Sequence, residues 1–365
     1  MRRALDLARL GLGLVEPNPM VGAVVVQRDR IVGEGPHARL GGPHAEVVAL
    51  EAAGEEARGA EMFVSLEPCC HHGKTPPCTE TIVAAGIRRV VAAVRDPFPE
   101  VSGRGAARLR DAGLEVTVGV LEDEARRLNA AFFKRQATGR PLVIAKWAMT
   151  LDGRMATATG ESKWISGEAS RRRVHEVRRI SDAVLVGAGT ALADAPSLTV
   201  RHVEPLPERG QPARVVLDER LVLPADREPA ASAAQTPVLV YTTAEALRRD
   251  ARRADALRAA GCELVAAPPS ARGVDAAAVL DDLGRRGMSR VLIEGGARVL
   301  GSVIAAGLVD RVMVFVAPRL LTSADALGPL AGPDGRTLTE AIAVHDVTVQ
   351  QVGPDMLIEG RLSDF

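Results

Sequence analysis

Short apolar runs alternate with longer amphipathic segments along the first part of the chain. The runs have the length of strands, and the amphipathic segments have the length and spacing of helices. The predicted elements are helix 2–12, strand 21–27, helix 45–53, strand 61–66, helix 79–85, strand 89–94, helix 105–112, strand 115–118 and helix 121–133. Such alternation is typical of layered α/β folds.

The 365 residues are too many for one ordinary compact domain, and a joint is predicted near Arg140. Segment 136–141 is rich in glycine, proline and polar residues. We therefore expect domains at 1–140 and 141–365. In the second, a strand at 290–294 runs through two glycines into a helix at 297–306, and the apolar stretch 309–316 suits a central strand or a subunit interface.

Composition excludes several classes of protein. Lys and Arg total 46, as do Asp and Glu, so the totals give no basic footprint for nucleic acid or an anionic membrane. Two Trp, one Tyr and six Phe are too few for a base-stacking platform. Four cysteines do not make a disulfide framework, and no signal peptide or membrane-spanning run is evident. We expect a soluble cytoplasmic protein.

A candidate zinc site lies between residues 41 and 78. The sequence Gly-Gly-Pro-His44-Ala-Glu46 is followed by Glu67-Pro-Cys69 and, after a loop, by Pro-Pro-Cys78. One imidazole and two thiolates give three ligands to a tetrahedral ion and leave the fourth position to water, as hydrolytic zinc requires. Cys78 at a predicted helix start is favoured as a thiolate. Zinc would make hydroxide available near neutral pH, and Glu46 would carry the proton to departing ammonia.

A structural zinc site is the alternative. In that case Cys70, His71 or His72 fills the fourth position and Glu46 is a surface helix residue. Structural sites usually use short paired Cys-x-x-Cys units, whereas these ligands are dispersed and accompanied by an acid. The pattern therefore favours catalysis.

The motif follows the His-x-Glu and Pro-Cys arrangement of zinc nucleobase deaminases, but its second cysteine comes after a longer loop. With Pro17-Asn18-Pro19-Met20-Val21-Gly22 and Gly35-Pro36-His37 upstream, it closely resembles the bifunctional deaminase/reductase family of riboflavin biosynthesis. The resemblance implies a cytidine-deaminase-like three-layer α/β/α domain. It also implies substrate contacts at Asn18, His37 and Lys74, for which turn or surface roles are the alternatives.

The second half resembles the reductase part of that family, a relative of dihydrofolate reductase, which implies a second α/β domain. The motifs are Leu151-Asp152-Gly153, Ser162-Lys-Trp164, Val184-Leu-Val-Gly187-Ala-Gly189-Thr190, Pro196-Ser-Leu198-Thr and Glu294-Gly295-Gly296. The glycines before the predicted helix suit a pyrophosphate, because backbone amides at a helix start hold anions. An ordinary strand-to-helix turn explains them equally well without the family.

The resemblance implies two sets of contacts in this half. NADPH is expected at Ala148, Trp164, Thr190, Asp194, Gly296, Ala297, Arg298, Val299, Leu300, Gly301 and Ser302. Substrate is expected at Ser162, Arg178, Leu198, Arg201 and Glu294, where the arginines offer cations to a phosphate. The alternatives are a solvated helix face for Arg178, core packing for Trp164 and a turn role for Asp194.

Three positions depart from the family pattern. Cys70 stands where serine is usual, Phe98 replaces an asparagine that would contact substrate, and Glu219 replaces a serine near the cofactor. The loss at Phe98 suggests that ribose or phosphate is bound differently here.

The resemblance implies a bifunctional enzyme that acts on a small phosphorylated ribosylaminopyrimidine. Zinc hydroxide would deaminate diaminohydroxyphosphoribosylaminopyrimidine, and NADPH would reduce the ribosyl side chain to ribityl, giving 5-amino-6-(5-phosphoribitylamino)uracil. Relatives suggest a homo-oligomer, either dimer or tetramer. A tRNA-editing deaminase, a free nucleoside deaminase and a non-catalytic zinc scaffold are the rivals. Neutral charge disfavours the first, and the reductase motifs and Glu46 respectively disfavour the other two.

Overall fold

The computed structural model describes residues 1–72, 76–332 and 336–365, and the chain divides into two compact units. The first comprises Met1–Gly139 together with Phe365, and the second comprises Arg140–Asp364. Each is built around a mixed β-sheet. In the described ranges, no helix has both the length and the apolar character that crossing a membrane requires.

The first unit contains five strands and six helices among its described residues. The strands are β1 (Gly22–Gln27), β2 (Arg30–Pro36), β3 (Glu61–Val64), β4 (Arg89–Ala92) and β5 (Glu115–Val118). The helices are α1 (Arg2–Arg9), α2 (Ala45–Ala53), α3 (Cys78–Ala84), α4 (Arg104–Asp111), α5 (Glu122–Leu128) and α6 (Ala130–Thr138). The sheet order is β2-β1-β3-β4-β5, with β3, β4 and β5 parallel and the other pairs antiparallel.

Alternating side chains of β1 face opposite helical layers. Val25 packs in a core with Leu50 of α2 and Ile82 of α3, whereas Val24 packs against Leu7 of α1. Two apolar faces on one sheet require cover on both sides, and this gives the expected α/β/α sandwich.

The end of this unit differs from the sequence prediction. The prediction of a single helix over 121–133 is wrong, because the chain forms two helices, α5 and α6, with a break at Asn129. The Asn129 side chain accepts a hydrogen bond from the backbone N–H of Met20 and donates one to its carbonyl, both at 2.8 Å. The helix then continues to Thr138, so the connection to the second unit begins at Gly139 rather than at 136.

The second unit contains eleven strands and six helices among its described residues. The strands are β6 (Leu142–Thr150), β7 (Ala183–Gly187), β8 (Ala213–Leu217), β9 (Val238–Thr242), β10 (Glu263–Ala266), β11 (Pro269–Ser270), β12 (Gly273–Val274), β13 (Arg290–Ile293), β14 (Arg311–Ala317), β15 (His345–Val352) and β16 (Asp355–Arg361). The helices are α7 (Glu168–Ile180), α8 (Ala188–Asp194), α9 (Ala244–Arg249), α10 (Ala251–Ala259), α11 (Ala276–Arg285) and α12 (Ala297–Ala305).

Nine of these strands form one sheet in the order β10-β9-β8-β7-β13-β6-β14-β16-β15. The pairs from β10 to β14 are parallel, and β16 and β15 add an antiparallel edge. The apolar stretch 309–316 largely coincides with β14, which lies between β6 and β16 and is therefore an internal strand.

Helices cover both faces of this sheet. Leu283 of α11 and Leu300 of α12 pack on one face, and Val174 of α7 and Leu257 of α10 pack on the other. In such sheets ligands bind beyond the carboxyl ends of the parallel strands. Glu294 stands at that end of β13.

Candidate active sites

Three side chains converge in the first unit. His44 is the residue before α2, Cys69 lies in the loop after β3, and Cys78 is the first residue of α3. The His44 Nδ1 atom is 3.1 Å from the Cys78 sulfur and 3.6 Å from the Cys69 sulfur, and all three ligand atoms lie within 4.8 Å of one another. One nitrogen and two sulfurs at this spacing suit a zinc ion with bonds of about 2.1 and 2.3 Å.

Hydrogen bonds around the cysteines favour a thiolate. The hydrogen bond from the Cys78 thiol lowers the pKa of Cys69 to about 4, with a further contribution from His44. The Cys78 backbone N–H also donates to the Cys69 sulfur at 3.3 Å. Donating to Cys69 raises the pKa of Cys78 when no cation is present. A zinc ion between the two sulfurs would stabilise both as thiolates.

Glu46 lies in the first turn of α2, two residues after His44, and is buried. Burial raises the pKa of Glu46 to about 7, and the nearby Cys69 acts in the same direction. A carboxyl group with this pKa can both accept and release a proton near neutrality. The interpretation of Glu46 as a surface residue is wrong.

Asn18 and His37 also meet at this site. His37 donates from Nδ1 to the Pro43 carbonyl at 2.9 Å, so its Nε2 can accept from the Asn18 amide at 3.4 Å. Burial lowers the pKa of His37, which favours the neutral ring. Its ring packs edge-on against His44, with centroids 5.6 Å apart. Lys74, the third predicted substrate contact, lies outside the described residues.

A closed structural zinc site is not supported. The Cys70 thiol donates to the Glu100 carbonyl at 3.6 Å, and His72 lies 4.0 Å from Glu80. Within residues 1–72, 76–332 and 336–365, the metal-ligand atoms that converge belong to His44, Cys69 and Cys78 alone.

Glu67 has a role that sequence reasoning missed. Its buried carboxylate accepts hydrogen bonds from the backbone N–H groups of Asp96 at 3.2 Å, Gly103 at 2.9 Å and Ala106 at 2.9 Å. It thereby fastens the loop that carries Cys69 to the start of α4. An acidic residue directly before the Pro-Cys pair was the available signal.

In the second unit, Arg178 of α7 and Glu294 form a two-point ion pair. The Nε–Oε1 and Nη2–Oε2 distances are 2.5 and 2.8 Å, and Arg178 also donates to the Thr199 carbonyl at 2.8 Å. Burial opposes the charge on Glu294, but Arg178 outweighs it and holds the pKa of Glu294 below its ordinary value. Arg178 is therefore buried and paired with Glu294, and the interpretation that it lies on a solvated helix face is wrong.

The expected cofactor segment begins next to Thr190. A Cβ atom added to Gly296 would lie 2.9 Å from the Thr190 hydroxyl, so only glycine leaves that space open. Gly296 precedes α12, whose first turn carries the exposed Arg298. Further along the helix, Leu300 is buried in the core and Gly301 packs against the backbone at 331–332.

Ser162 and Asp194 are also brought together. The Ser162 hydroxyl donates to the Asp194 carboxylate at 3.1 Å, and Lys163 donates to the Asp194 carbonyl at 2.9 Å. Trp164 is 60% exposed with the Arg171 guanidinium 4.6 Å from its ring centre, so core packing is the wrong interpretation of Trp164.

The remaining predicted contacts occupy different environments. Ala148 is half-buried on β6, and Val299 and Ser302 are half-buried on α12, as is Ala297. Leu198 is buried in a left-handed conformation with φ of 54°, and Arg201 is exposed. Lys146 lies on β6, where burial lowers its pKa while Glu294 acts in the opposite direction.

Comparisons with known proteins agree with the two sites. Residues 1–94 match the cytidine and deoxycytidylate deaminase zinc-binding region, and residues 141–358 match the RibD C-terminal domain. The riboflavin biosynthesis protein RibD of Aquifex aeolicus is 42% identical over 98% of this chain and 96% of its own. That of Escherichia coli is 40% identical over 98% of this chain and 97% of its own.

Solved structures extend the likeness to the whole chain. Acinetobacter baumannii RibD superposes with a TM-score of 0.86 at 38% identity, covering 99% of this chain and 97% of its own. A Thermotoga maritima protein described as a diaminohydroxyphosphoribosylaminopyrimidine deaminase/5-amino-6-(5-phosphoribosylamino)uracil reductase gives 0.84 at 38% identity, with the same coverage.

The fold and sites define a bifunctional enzyme that joins a zinc-dependent deaminase to a reductase. More particularly, the chain belongs to the RibD family of riboflavin biosynthesis proteins. The expected fold class is confirmed. Zinc is the metal of the first domain and NADPH the cofactor of the second.

Proposed function

We propose that the first unit converts diaminohydroxyphosphoribosylaminopyrimidine to its deaminated product, with Glu46 as the acid/base and His44, Cys69 and Cys78 as zinc ligands. The observation that carries this proposal is the convergence of three ligand atoms within 4.8 Å beside a buried carboxyl group. A bound zinc ion would supply an activated water molecule for attack on the ring carbon. Burial raises the pKa of Glu46 to about 7, so its carboxylate would accept a proton from that water and return one to the departing amine.

Asn18 and His37 complete the proposed pyrimidine pocket. Neutral His37, held by the Pro43 carbonyl, keeps the Asn18 amide in place. That amide has both donor and acceptor atoms to offer to the substrate. Lys74 is proposed as a further substrate contact from the sequence alone.

The second unit would then reduce the ribosyl group to ribityl, with NADPH as the source of hydride. We propose that the cofactor lies along Ala148, Trp164, Thr190, Asp194 and the start of α12 at Gly296, Ala297 and Arg298, with Val299 and Ser302 beside it. Leu300 and Gly301 complete the proposed cofactor segment, and both also take part in the packing of the helix.

For the substrate of the second unit we propose a site formed by Ser162, Arg178, Leu198, Arg201 and Glu294. Arg178 holds the Glu294 carboxylate in one orientation through two hydrogen bonds, so that its lone pairs meet the sugar hydroxyls at a fixed angle. Exposed Arg201 is the cation available to the phosphate.

Domain limits, assembly and compartment complete the proposal. We place the domains at 1–140 and 141–365. The two compact units divide between Gly139 and Arg140, which is within one residue of this proposed boundary. We propose a homo-oligomer, dimer or tetramer, to be measured by size-exclusion chromatography with light scattering. Zinc thiolates require reduced cysteines, so the cytoplasm is the proposed compartment.

Glu46→Gln tests the assignment. Because glutamine cannot carry the proton, ammonia release should fall by at least about a hundredfold, while bound zinc measured by atomic absorption should remain at one ion per chain. NADPH oxidation with the deaminated substrate should be unchanged and serves as the internal control. Retained deamination in this variant would refute the role of Glu46.

A further inference from the structure

A cavity of about 420 Å³ lies in the first unit and is not used by the proposed chemistry. Its lining residues are Cys70, His71, Glu100, Arg104 and Arg108. Cys70 directly follows the zinc ligand Cys69, so the cavity adjoins the deaminase site through the chain itself.

Two guanidinium groups form its basic side. Arg104 and Arg108 are four residues apart on α4, a spacing that places them on the same face of the helix. Arg104 donates to the Pro99 carbonyl at 2.6 Å, and Arg108 donates to the Cys70 carbonyl at 3.2 Å and to Glu80 at 2.9 Å. A guanidinium has five N–H donors, so these bonds fix both groups and leave donors for a ligand.

His71 adds an unsatisfied polar atom. Its Nδ1 is buried and has no hydrogen-bond partner among the described residues. The ring lies against Phe98, with centroids 5.6 Å apart. Because Nδ1 is buried, the ring can meet a ligand in the cavity only through its other edge, which carries Nε2.

The charge of the lining selects an anion. The lining holds two arginines and the carboxylate of Glu100, and Arg108 is also paired with Glu80. Arg104, whose bond is to a carbonyl, is therefore the main cation offered to an anion, and a guanidinium group matches the oxygen atoms of a phosphate. At position 98, phenylalanine replaces the asparagine expected from the family pattern, so a polar contact must come from elsewhere.

We propose that this cavity binds the 5-phosphate of the pyrimidine substrate through Arg104, Arg108 and His71. The proposal rests on the proposed function, since the substrate named there carries the phosphate. The amine to be removed would lie at zinc while the phosphoryl group occupies the cavity.

Arg104→Gln in the zinc-loaded full chain is the decisive variant. Loss of one charged hydrogen bond should raise the KM for ammonia release about tenfold or more and leave kcat within about twofold. A substrate lacking the phosphate should show the same KM with the variant and the wild type. Arg110→Gln is the matched control, because that exposed residue of α4 donates to the Val116 carbonyl instead and does not line the cavity. It should leave both KM values unchanged.

Arg108→Gln should act in the same direction, but it also loses the bond to Cys70, so zinc content is measured beside it. An unchanged KM in Arg104→Gln would overturn the proposal, as would an equal rise in KM for the substrate without phosphate. Calorimetry with ribose 5-phosphate tests whether the cavity binds a phosphate, and this measurement does not require catalytic turnover. Binding to the wild type that Arg104→Gln weakens supports the proposal, and no binding or equal binding overturns it. Failure of the wild type to release ammonia would instead refute the proposed function.

Discussion

One carboxylate, that of Glu67, joins the loop of the proposed zinc ligand Cys69 to the rest of the first unit. Its two oxygens accept three backbone hydrogen bonds, from Asp96, Gly103 and Ala106. Groups that orient metal ligands in this way commonly contribute a factor of about 10 to 100 in metal affinity. The position of Cys69 therefore depends on a residue that does not itself contact the metal.

Glu67→Gln should weaken zinc binding about tenfold or more. Glutamine has one acceptor oxygen and would turn its amide donors toward backbone N–H groups. Competition with a chromophoric chelator measures the zinc affinity. Glu115→Gln, an exposed carboxylate on β5, is the control and should have no effect. An unchanged zinc affinity in Glu67→Gln would show that the loop is held by other contacts.

The Arg178–Glu294 pair makes a prediction for stability. Both side chains are about nine-tenths buried, so Glu294→Gln leaves a buried guanidinium without its counter-charge and should cost about 3 kcal/mol in the free energy of unfolding. Urea titration followed by tryptophan fluorescence suits this test, because Trp147 and Trp164 both belong to the second unit. Adding Arg178→Met should recover part of the loss; a double variant less stable than Glu294→Gln would contradict the ion-pair explanation.

At the scale of elements, the break between α5 and α6 depends on Asn129. Asn129→Ala would leave the buried N–H and C=O of Met20 without partners, at a cost of about 2 to 4 kcal/mol. Unfolding of the first unit followed by circular dichroism measures this cost. Gln136→Ala on α6 is the control and should change stability by less than about 0.5 kcal/mol.

The sequence predicted those elements whose formation depends on local pattern. Helix α2 begins and ends at the predicted residues, because an apolar run follows a Gly-Gly-Pro start. Strand β2 was not predicted. It pairs with β1 through a two-residue turn at Arg28 and Asp29, both with positive φ, and this pair lacks the Asn-Gly or Asp-Gly pattern that marks such turns.

The same distinction between local pattern and tertiary packing applies to the residues of the sites. His44, Glu46, Cys69 and Cys78 were predicted because the chemistry of their side chains and their spacing are visible in the sequence. The role of Glu67 and the cavity at Arg104 and Arg108 depend on how α4 packs against the Cys69 loop, and packing between distant segments is not encoded by any local pattern.

At the scale of the whole molecule, the chain forms two compact units, and the candidate metal site lies in the first. We therefore predict that metal removal affects the first unit alone. Treatment with a chelator should abolish ammonia release, while NADPH oxidation with the deaminated substrate continues. The first unit should also melt at a lower temperature, because zinc binds only its folded form. The tryptophan transition, which belongs to the second unit, should not move. A parallel loss of both activities would show that the halves fold as one cooperative body.

The closeness of Cys69 and Cys78 has a consequence for handling the enzyme. Their sulfur atoms lie within 4.8 Å, and Cys69 is ionised near neutral pH when no cation separates them. An ionised sulfur beside a thiol is the arrangement from which air forms a covalent bridge. Bound zinc would therefore protect both sulfur atoms from oxidation in addition to its role in the reaction. Enzyme stripped of metal in air is expected to form the disulfide, which a dithiol must reduce before zinc can bind again.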